Sequence, residues 1–250
     1  MQDRPDLSES AVQRPYDVFA SAYDRFFAPE AADGTVEALQ KLVLADLPVG
    51  SRVLDLCCGT GRLSEVLVRC GYKVEGVDGS AEMLSVARSR APEADLQQAD
   101  VRNLKLDRRY DAVICAYNSI PHLTAVDDLG RLFQETRRSL SGTFLFDLYS
   151  QAAYLERWRG SFAKVEPDCV CVVQASYDLP NRRGENLITI FERNGKWNRS
   201  DLKLTTRCYG DEELLSLLGA AGFTSIEKFE GARDLGIPAL NGRMFWRCRP

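Results

Sequence analysis

Three carboxylates stand within or just after short predicted strands in the first half of the chain. Asp55 lies in the strand that leads into Gly59-Thr-Gly61, Asp78 ends the second strand, and Asp100 follows the third. The glycines let the backbone turn tightly and approach a ligand without obstruction by a side chain. A carboxylate at Asp78 can accept both hydrogen bonds of a ribose diol, and one at Asp100 can accept a hydrogen bond from an adenine amino group. The pattern therefore indicates a ligand that contains adenosine.

The charges around the glycine loop distinguish between two such ligands. A dinucleotide-binding fold also uses glycines and an acid after the second strand, but Ser64 occupies its third glycine position here. Asp55 would also repel a pyrophosphate, which binds at the positive end of a helix. S-adenosylmethionine (SAM) carries a sulfonium and an ammonium instead, and one opposed pair about 4 Å apart is worth roughly 4 kcal/mol before desolvation at an effective dielectric of about 20. The sequence favours SAM over NAD, with Met83 as an apolar face for the adenine.

Strands that alternate with helices are expected to hold these residues at one edge of a sheet. Apolar runs alternate with helical periodicity from residue 52 to 148, as where Leu63, Val66, Leu67 and Cys70 recur at i, i+3, i+4 and i+7. This alternation predicts an α/β fold with a parallel sheet covered on both faces. Ligands of such sheets bind outside the carboxyl ends of the strands.

The alternation stops after Ser150. Residues 169–177, 186–193 and 196–206 are predicted to be strands with no helical pattern between them, and Asn194-Gly195 is typical of a two-residue hairpin. This segment is predicted to be an antiparallel insertion without a helix.

These patterns divide the chain into four segments. We expect residues 1–33, which are rich in aromatic side chains and predicted to be irregular, to form an amino-terminal lid, and 34–150 to form the SAM-binding core. The antiparallel insertion, 151–207, would border the substrate, and 208–250 would add a helix and a strand pair that complete the core. A length of 250 residues suits one α/β domain with an insertion.

The motifs resemble those of class I SAM-dependent methyltransferases. VLDLCCGTGRLS is similar to the glycine-rich first motif, GVDGSAEML to the second, QQADVRNL to the third, and YDAVICAYNSIPHL to the stretch along the fourth strand. The amino end, YDVFASAYDRFF, and the meander are most similar to a bacterial small-molecule subset that includes deoxyaminosugar N-methyltransferases. The resemblance implies a Rossmann-like seven-stranded sheet with an antiparallel β insertion after the fifth strand.

The resemblance also implies which residues contact SAM, with S-adenosylhomocysteine (SAH) as the product. Matched position by position, they are Tyr16, Tyr23, Asp55, Gly59, Gly61, Asp78, Met83, Asp100, Val101 and Ala116, the last through its backbone. Cys57 stands where family members usually have glycine or alanine.

His122 and Tyr23 are the candidates for a catalytic role. His122 is the one histidine of the chain, and it follows the fourth strand, beside the expected position of the methyl group. An ordinary pKa of about 6.5 suits it to take a proton from a nucleophile, and the sugar-methylating relatives carry a histidine there. A loop histidine satisfied by backbone is an equally good interpretation. Tyr23 could close over the sulfonium, take part in catalysis, or only pack.

Composition limits the partners. A net charge of −4 argues against nucleic acid, and Asn118–His122 lacks the [DNS]PP[FYW] stretch of base-modifying enzymes. No run of 18 apolar residues exists and the amino end has no secretory pattern, so a cytoplasmic protein is expected. The eight cysteines form no CxxC pair, so no metal is expected.

The predicted function is methyl transfer from SAM to a nitrogen or oxygen of a small molecule, by a monomer or homodimer. Two alternatives stay open at this point. One is a SAM-binding module without catalysis, and the other is an NAD-dependent oxidoreductase, which Asp55 and Ser64 disfavour.

Overall fold

Residues 15–32 and 34–250, which the computed structural model describes, form two β-sheets and eight α-helices. In chain order the strands are β1 (Arg52–Leu56), β2 (Lys73–Asp78), β3 (Asp95–Gln98), β4 (Tyr110–Cys115), β5 (Leu140–Tyr149), β6 (Gly160–Glu166), β7 (Cys169–Asp178), β8 (Arg183–Asn194), β9 (Lys196–Arg207), β10 (Ser225–Glu230) and β11 (Arg243–Arg249). The helices are α1 (Pro15–Ala22), α2 (Ala28–Ala32), α3 (Thr35–Leu42), α4 (Arg62–Arg69), α5 (Ala81–Arg90), α6 (Val126–Ser139), α7 (Gln151–Arg157) and α8 (Asp211–Ala220).

The larger sheet has seven strands in the order β3-β2-β1-β4-β5-β11-β10. Strands β1 to β5 run parallel, while β11 pairs antiparallel with both β5 and β10. Because β1 lies between β2 and β4, the carboxyl ends of these three strands are adjacent, where ligands of open α/β sheets bind. The predicted α/β, Rossmann-like, seven-stranded sheet is confirmed.

The second sheet is the insertion after β5. It has the order β6-β7-β8-β9, with every pair antiparallel, and the hairpin at Asn194-Gly195 joins its last two strands. The prediction that this insertion contains no helix is wrong, because α7 precedes the strands. Ser150 caps α7 by accepting a hydrogen bond from Ala153 N at 3.2 Å. With only seven residues, α7 is too short to show a clear helical period.

The amino-terminal segment is helical from Pro15 and not irregular as predicted. A π-helical turn, Tyr23–Phe27, joins α1 to α2. Tyr16, Phe19 and Tyr23 recur at i, i+3 and i+7, the spacing of one helix face. These aromatic residues therefore pack together and against the second sheet, in a cluster that also contains Ile188 and Leu204. The parts of the predicted lid at residues 1–14 and 33 lie outside the described residues.

A buried ion pair ties the larger sheet to the amino-terminal helices. Asp147 in β5 and Arg243 in β11 are 1% and 4% exposed, and Arg243 Nη2 lies 2.7 Å from the Asp147 carboxylate. Arg243 Nη1 also donates to the carbonyl of Ala31 and to Thr35 Oγ1, both at 3.1 Å. One guanidinium thus fixes the positions of β5, α2 and α3.

None of the described helices is both long and apolar enough to cross a membrane. The eight cysteines are all free thiols. Within residues 15–32 and 34–250 there is no group of three or more His, Cys, Asp or Glu side chains arranged to hold a metal ion.

Candidate active site

A cavity of about 240 Å³ opens at the carboxyl ends of β1, β2 and β4. Eight of the residues predicted for the site lie in its wall: Tyr16, Tyr23, Gly59, Asp78, Met83, Asp100, Val101 and His122. The wall also contains Pro15, Cys57, Gly79, Ser80, Tyr117 and Ser119, which were not predicted as contacts. Asp55, Gly61 and Ala116 lie outside this wall. Contact with a cofactor stays a prediction for all of these residues.

Asp78 is held rigidly at the end of β2. Gly59 N donates to its Oδ2 and Ser80 N to its Oδ1, both at 2.9 Å. Burial raises the pKa of this carboxyl, and the two backbone hydrogen bonds oppose that rise. Each carboxylate oxygen can accept more than one hydrogen bond, so both can also accept from a ligand. The side chain is therefore preoriented to bind a pair of adjacent hydroxyls.

The two glycines of the first loop, Gly59 and Gly61, have different structural roles. Gly59 has φ +55°, and a Cβ there would meet nothing within 4 Å, so its backbone faces open space. Gly61 has φ +76°, and a Cβ there would lie 2.9 Å from the Cα of Ala87 in α5. Gly59 thus leaves room for a ligand, whereas Gly61 allows the loop to pack against a helix. Cys57 also has a positive φ, 58°, which explains why this position favours glycine.

Asp55 lies behind this loop. It is 2% exposed, and Ser64 Oγ donates to its Oδ2 at 2.7 Å. Burial raises the pKa of Asp55 to about 7, although the Ser64 hydrogen bond opposes this and the nearby charge of Asp78 adds to it. Ser64, at the position of the third dinucleotide-motif glycine, is thus the hydrogen-bond partner of the buried acid. A cation that bound nearby would favour the ionised carboxyl.

The raised pKa of Asp55 predicts a pH-dependent stability. The Asp55 carboxyl has a pKa of about 7 in the folded protein, whereas an Asp in the unfolded chain has a pKa of about 3.9. Its contribution to stability is therefore full below about pH 4 and is lost as the pH rises to about 7. Asp55→Asn removes this group, so its effect on the free energy of unfolding should be more stabilising at pH 8 than at pH 5, by roughly 2–3 kcal/mol. Urea denaturation checks this, with the exposed Asp46→Asn as the control; equal effects of Asp55→Asn at both pH values would contradict it.

His122 connects α1 to the second sheet. Its Nε2 lies 2.9 Å from the hydroxyl of Tyr16, and the two rings meet edge-on with centroids 5.4 Å apart. Burial lowers the pKa of His122 to about 4, and a hydrogen bond with the backbone of Thr205 in β9 only partly opposes this. Burial also raises the pKa of Tyr16 well above its ordinary value. Both side chains are therefore uncharged near neutral pH.

The turn after β4 is strained. Tyr117 and Asn118 have φ values of +65° and +60°, in the left-handed region that L residues rarely adopt. Asn118 N donates to the Asp147 carboxylate at 3.1 Å, and its Oδ1 accepts from Tyr149 N at 3.2 Å, which fixes the turn against β5. Strain of this kind concentrates at functional sites. The strained turn places Tyr117 in the cavity wall. The one sequence signal for this turn is Asn118, because asparagine tolerates the left-handed conformation.

The helical amino-terminal segment closes one side of the cavity and is anchored to the core by polar contacts. Asp24 accepts from Arg90 Nη1 at 2.8 Å and lies 3.4 Å from Arg62 Nε. Ser80 Oγ donates to Asp17 Oδ1 at 2.5 Å. These contacts join α1 and the π-helical turn to α4 and α5, so Tyr16 and Tyr23 have fixed positions.

A second cavity, of about 410 Å³, shares Tyr23 with the first. Its wall is formed by the amino-terminal segment, the end of β5 with α7, and the second sheet: Phe19, Tyr23, Phe27, Tyr149, Arg157, Trp158, Phe162, Val173, Ala175, Asn186, Ile188 and Leu204. Tyr23 contributes to the walls of both cavities. Burial raises the pKa of Tyr23 to about 12, so its hydroxyl stays protonated at neutral pH. The arrangement allows ligands in the two cavities to meet beside this side chain.

Comparison with known proteins agrees with this geometry. The methyltransferase-domain family matches residues 53–142. The putative methyltransferase YqeM of Bacillus subtilis is 29% identical over 94% of this chain and 96% of that protein. The dTDP-3-amino-3,6-dideoxy-alpha-D-glucopyranose N,N-dimethyltransferase of Streptomyces fradiae is 38% identical, over 46% of this chain and 43% of that protein.

Solved structures show the same fold. The sugar N-methyltransferase KedS8 from Streptoalloteichus superposes with a TM-score of 0.75 at 21% identity, over 100% of this chain and 99% of that one. The family match of the core, the similar sequences and the shared fold all indicate a methyltransferase. Residues 53–142 thus belong to the methyltransferase-domain family, and the chain is a SAM-dependent methyltransferase similar to the deoxyaminosugar N-methyltransferases.

Proposed function

We propose that this methyltransferase methylates a nitrogen or oxygen atom of a small molecule that occupies the second cavity. The observation that carries the proposal is the position of Tyr23, which lies both in the wall of a cavity edged by carboxylates and in the wall of a cavity lined with aromatic side chains. The second cavity, of about 410 Å³, lies within the range of about 300–1,000 Å³ that is usual for small-molecule sites, and the first, of about 240 Å³, lies somewhat below it. The net charge of −4 gives no support to a nucleic-acid substrate.

We assign the first cavity to SAM, which supplies an electrophilic methyl group when bound. Asp78 would accept the two ribose hydroxyls, and Asp100 the adenine amino group, with Met83 against the ring. Asp78 fits this role because its two oxygens are already oriented by Gly59 N and Ser80 N. Asp100 is oriented by Arg102, whose Nε donates to it at 2.9 Å. Asp78, Asp100 and Met83, together with the open space at Gly59, fit an adenosine.

The remaining predicted contacts complete the proposed site. Tyr16 and Val101 lie in the cavity wall and would enclose the cofactor. Asp55 and Gly61 would act from behind the loop, through charge and packing, and Ala116 would act from the end of β4. No metal is proposed. The roles of all these residues rest on their positions around one cavity.

Replacing each glycine of the loop with alanine distinguishes a glycine that leaves room for the ligand from one that allows the loop to pack against a helix. Both changes put an L side chain at positive φ, which costs about 1–3 kcal/mol. Gly61→Ala must in addition displace Ala87, so it should lower the free energy of unfolding further than Gly59→Ala. Gly59→Ala should instead cause the larger loss of SAM affinity. Urea denaturation and calorimetry measure the two effects, and the reverse ranking in either would contradict the assignment.

We propose that His122 and Tyr23 position the reactants and do not transfer protons. Methyl transfer depends mainly on alignment of the nucleophile and exclusion of water, and an imidazole with a pKa of about 4 is a weak base. His122 would hold Tyr16, and Tyr23 would separate the reactants. The chain's own residues thus provide a closed, aligned site.

Two variants test the positioning roles. A general base is worth about 10²–10⁴-fold in rate, so a loss below about tenfold in kcat for His122→Asn would support positioning. The pH profile above pH 6 should keep its shape, because His122 is already neutral there. Tyr23→Phe, which keeps the ring, should also lose less than about tenfold. A hundredfold loss with a changed acidic limb for His122→Asn would instead make it a base.

The proposed function is tested by measuring SAH formation from SAM across amino deoxysugars, phenols, carboxylic acids and amines. We expect turnover with at least one acceptor, and Asp78→Ala should reduce it. A protein that binds SAM tightly and turns over none of these classes would support the alternative of a SAM-binding module without catalysis. Binding of NAD more tightly than SAM would support an oxidoreductase instead.

A further inference from the structure

The second cavity has an unusual concentration of aromatic side chains. Six rings lie in its wall: Phe19, Tyr23, Phe27, Tyr149, Trp158 and Phe162. They come from three separate parts of the chain, the amino-terminal segment, the region from the end of β5 through α7, and β6. Val173, Ile188 and Leu204 of the second sheet add buried aliphatic surface. Aromatic walls favour flat, apolar ring systems, which they contact by offset or edge-on stacking.

The charges around this cavity are asymmetric. Arg157, an exposed side chain, is the charged group that the described residues contribute to its wall, and none of them contributes a carboxylate there. Within the described residues, Arg157 has no acidic partner within 4.0 Å; it lies over the Tyr149 ring at 5.0 Å and donates to the Asn241 carbonyl at 3.4 Å. Arg243 also lies against Tyr149, but Asp147 neutralises it. The second cavity therefore presents an uncompensated positive charge beside an apolar interior.

The polar groups of the wall are few. Of the residues that the structure describes there, Asn186 contributes an uncharged amide, and three further polar side-chain atoms belong to Tyr23, Tyr149 and Trp158. A molecule with hydroxyl groups on every side would leave several of them buried without partners, at a cost of about 1–3 kcal/mol each. An acceptor with its polar groups at two ends fits better, since one end would face Arg157 and the other Tyr23.

We propose that the methyl acceptor is a compound with an aromatic ring and one anionic group, which Arg157 binds. The guanidinium forms strong, bidentate hydrogen bonds with carboxylates. The nucleophilic nitrogen or oxygen, at the opposite end of the ring, reaches the wall that Tyr23 shares between the cavities. This inference rests on the proposed function, because it assumes that the second cavity holds the acceptor.

The test compares acids with their neutral esters in SAH-saturated protein. The probes are hydroxybenzoates and aminobenzoates, each paired with its methyl ester, together with an amino deoxysugar, and calorimetry measures their binding. We expect at least one acid to bind about tenfold or more tightly than its ester, a difference of about 1.4 kcal/mol. Arg157→Gln should abolish that preference, and Arg157→Lys should retain part of it. Arg159→Gln, two residues further along and outside the cavity wall, is the matched control and should leave it unchanged.

The outcomes separate this inference from the proposed function. Equal binding of acids and esters, an acid preference that survives Arg157→Gln, or tighter binding of the amino deoxysugar than of any acid would overturn the anionic-ring assignment. In each of those cases SAH formation with a neutral acceptor would leave the proposed function standing. Absence of SAH formation with every acceptor class, despite tight binding of an acid, would instead count against the proposed function.

Discussion

Replacing Asp78 with alanine should weaken SAM binding by about 1–3 kcal/mol, because it removes charge-assisted hydrogen bonds to the ribose. Gly59 N and Ser80 N would lose their acceptor as well, so the loop itself could shift. Asp78→Asn keeps one acceptor oxygen in place and should lose less. Calorimetry with SAM measures the affinities, and urea denaturation shows whether each variant is folded.

A ligand pair isolates the contribution of the ribose from that of the loop. Adenosine has both ribose hydroxyls, and 2′,3′-dideoxyadenosine has neither. The wild-type protein should prefer adenosine, and Asp78→Ala should lose that preference. The exposed Asp46→Ala should keep it. An adenosine preference that survives in a folded Asp78→Ala protein would place the ribose elsewhere.

Loss of Arg243 should have the largest effect on stability. Arg243→Met leaves the Asp147 carboxylate buried without its cation, and breaking such a pair costs about 3–5 kcal/mol. It also removes the hydrogen bonds to Ala31 and Thr35 that hold α2 and α3. Because removal of both charges is far less costly than removal of one, Asp147→Asn combined with Arg243→Met should recover part of the loss. Urea denaturation measures all three proteins.

Arg247 provides the control for this prediction. It lies four residues further along β11 and pairs with the half-exposed Glu227 at 2.8 Å. Partly exposed ion pairs contribute about 0–1 kcal/mol, so Arg247→Met should cost far less than Arg243→Met. Equal losses for the two variants would mean that burial of the Asp147–Arg243 pair has no special importance.

The sequence was sufficient to predict the larger sheet because most of its central strands are apolar runs, and Asp78 and Asp100 lie at or just beyond the ends of β2 and β3. Asp78 and Asp100 could be placed for this reason: the end of a parallel strand is known once the strand is known. The helical amino-terminal segment could also have been found, since Tyr16, Phe19 and Tyr23 have helical spacing. The π-helical turn at Tyr23 has no comparable pattern.

Other features depend on packing between distant parts of the chain. Asp55 was expected to contact the cofactor, but no local pattern predicted that Ser64 in α4 would donate a hydrogen bond to it. The low pKa of His122 follows from burial between Tyr16 and β9, which no local pattern indicates. The second cavity likewise exists only because α1 packs on strands more than a hundred residues away.

The most direct test of the whole account is a crystal structure of the protein with SAH. We expect the ribose diol on Asp78, the adenine between Met83 and Asp100, and the sulfur atom facing Tyr23 where the two cavities share a wall. That position would direct a methyl group toward the second cavity. A structure with the sulfur facing away from Tyr23, or with SAH outside the first cavity, would contradict both the cofactor assignment and the proposed site of the acceptor.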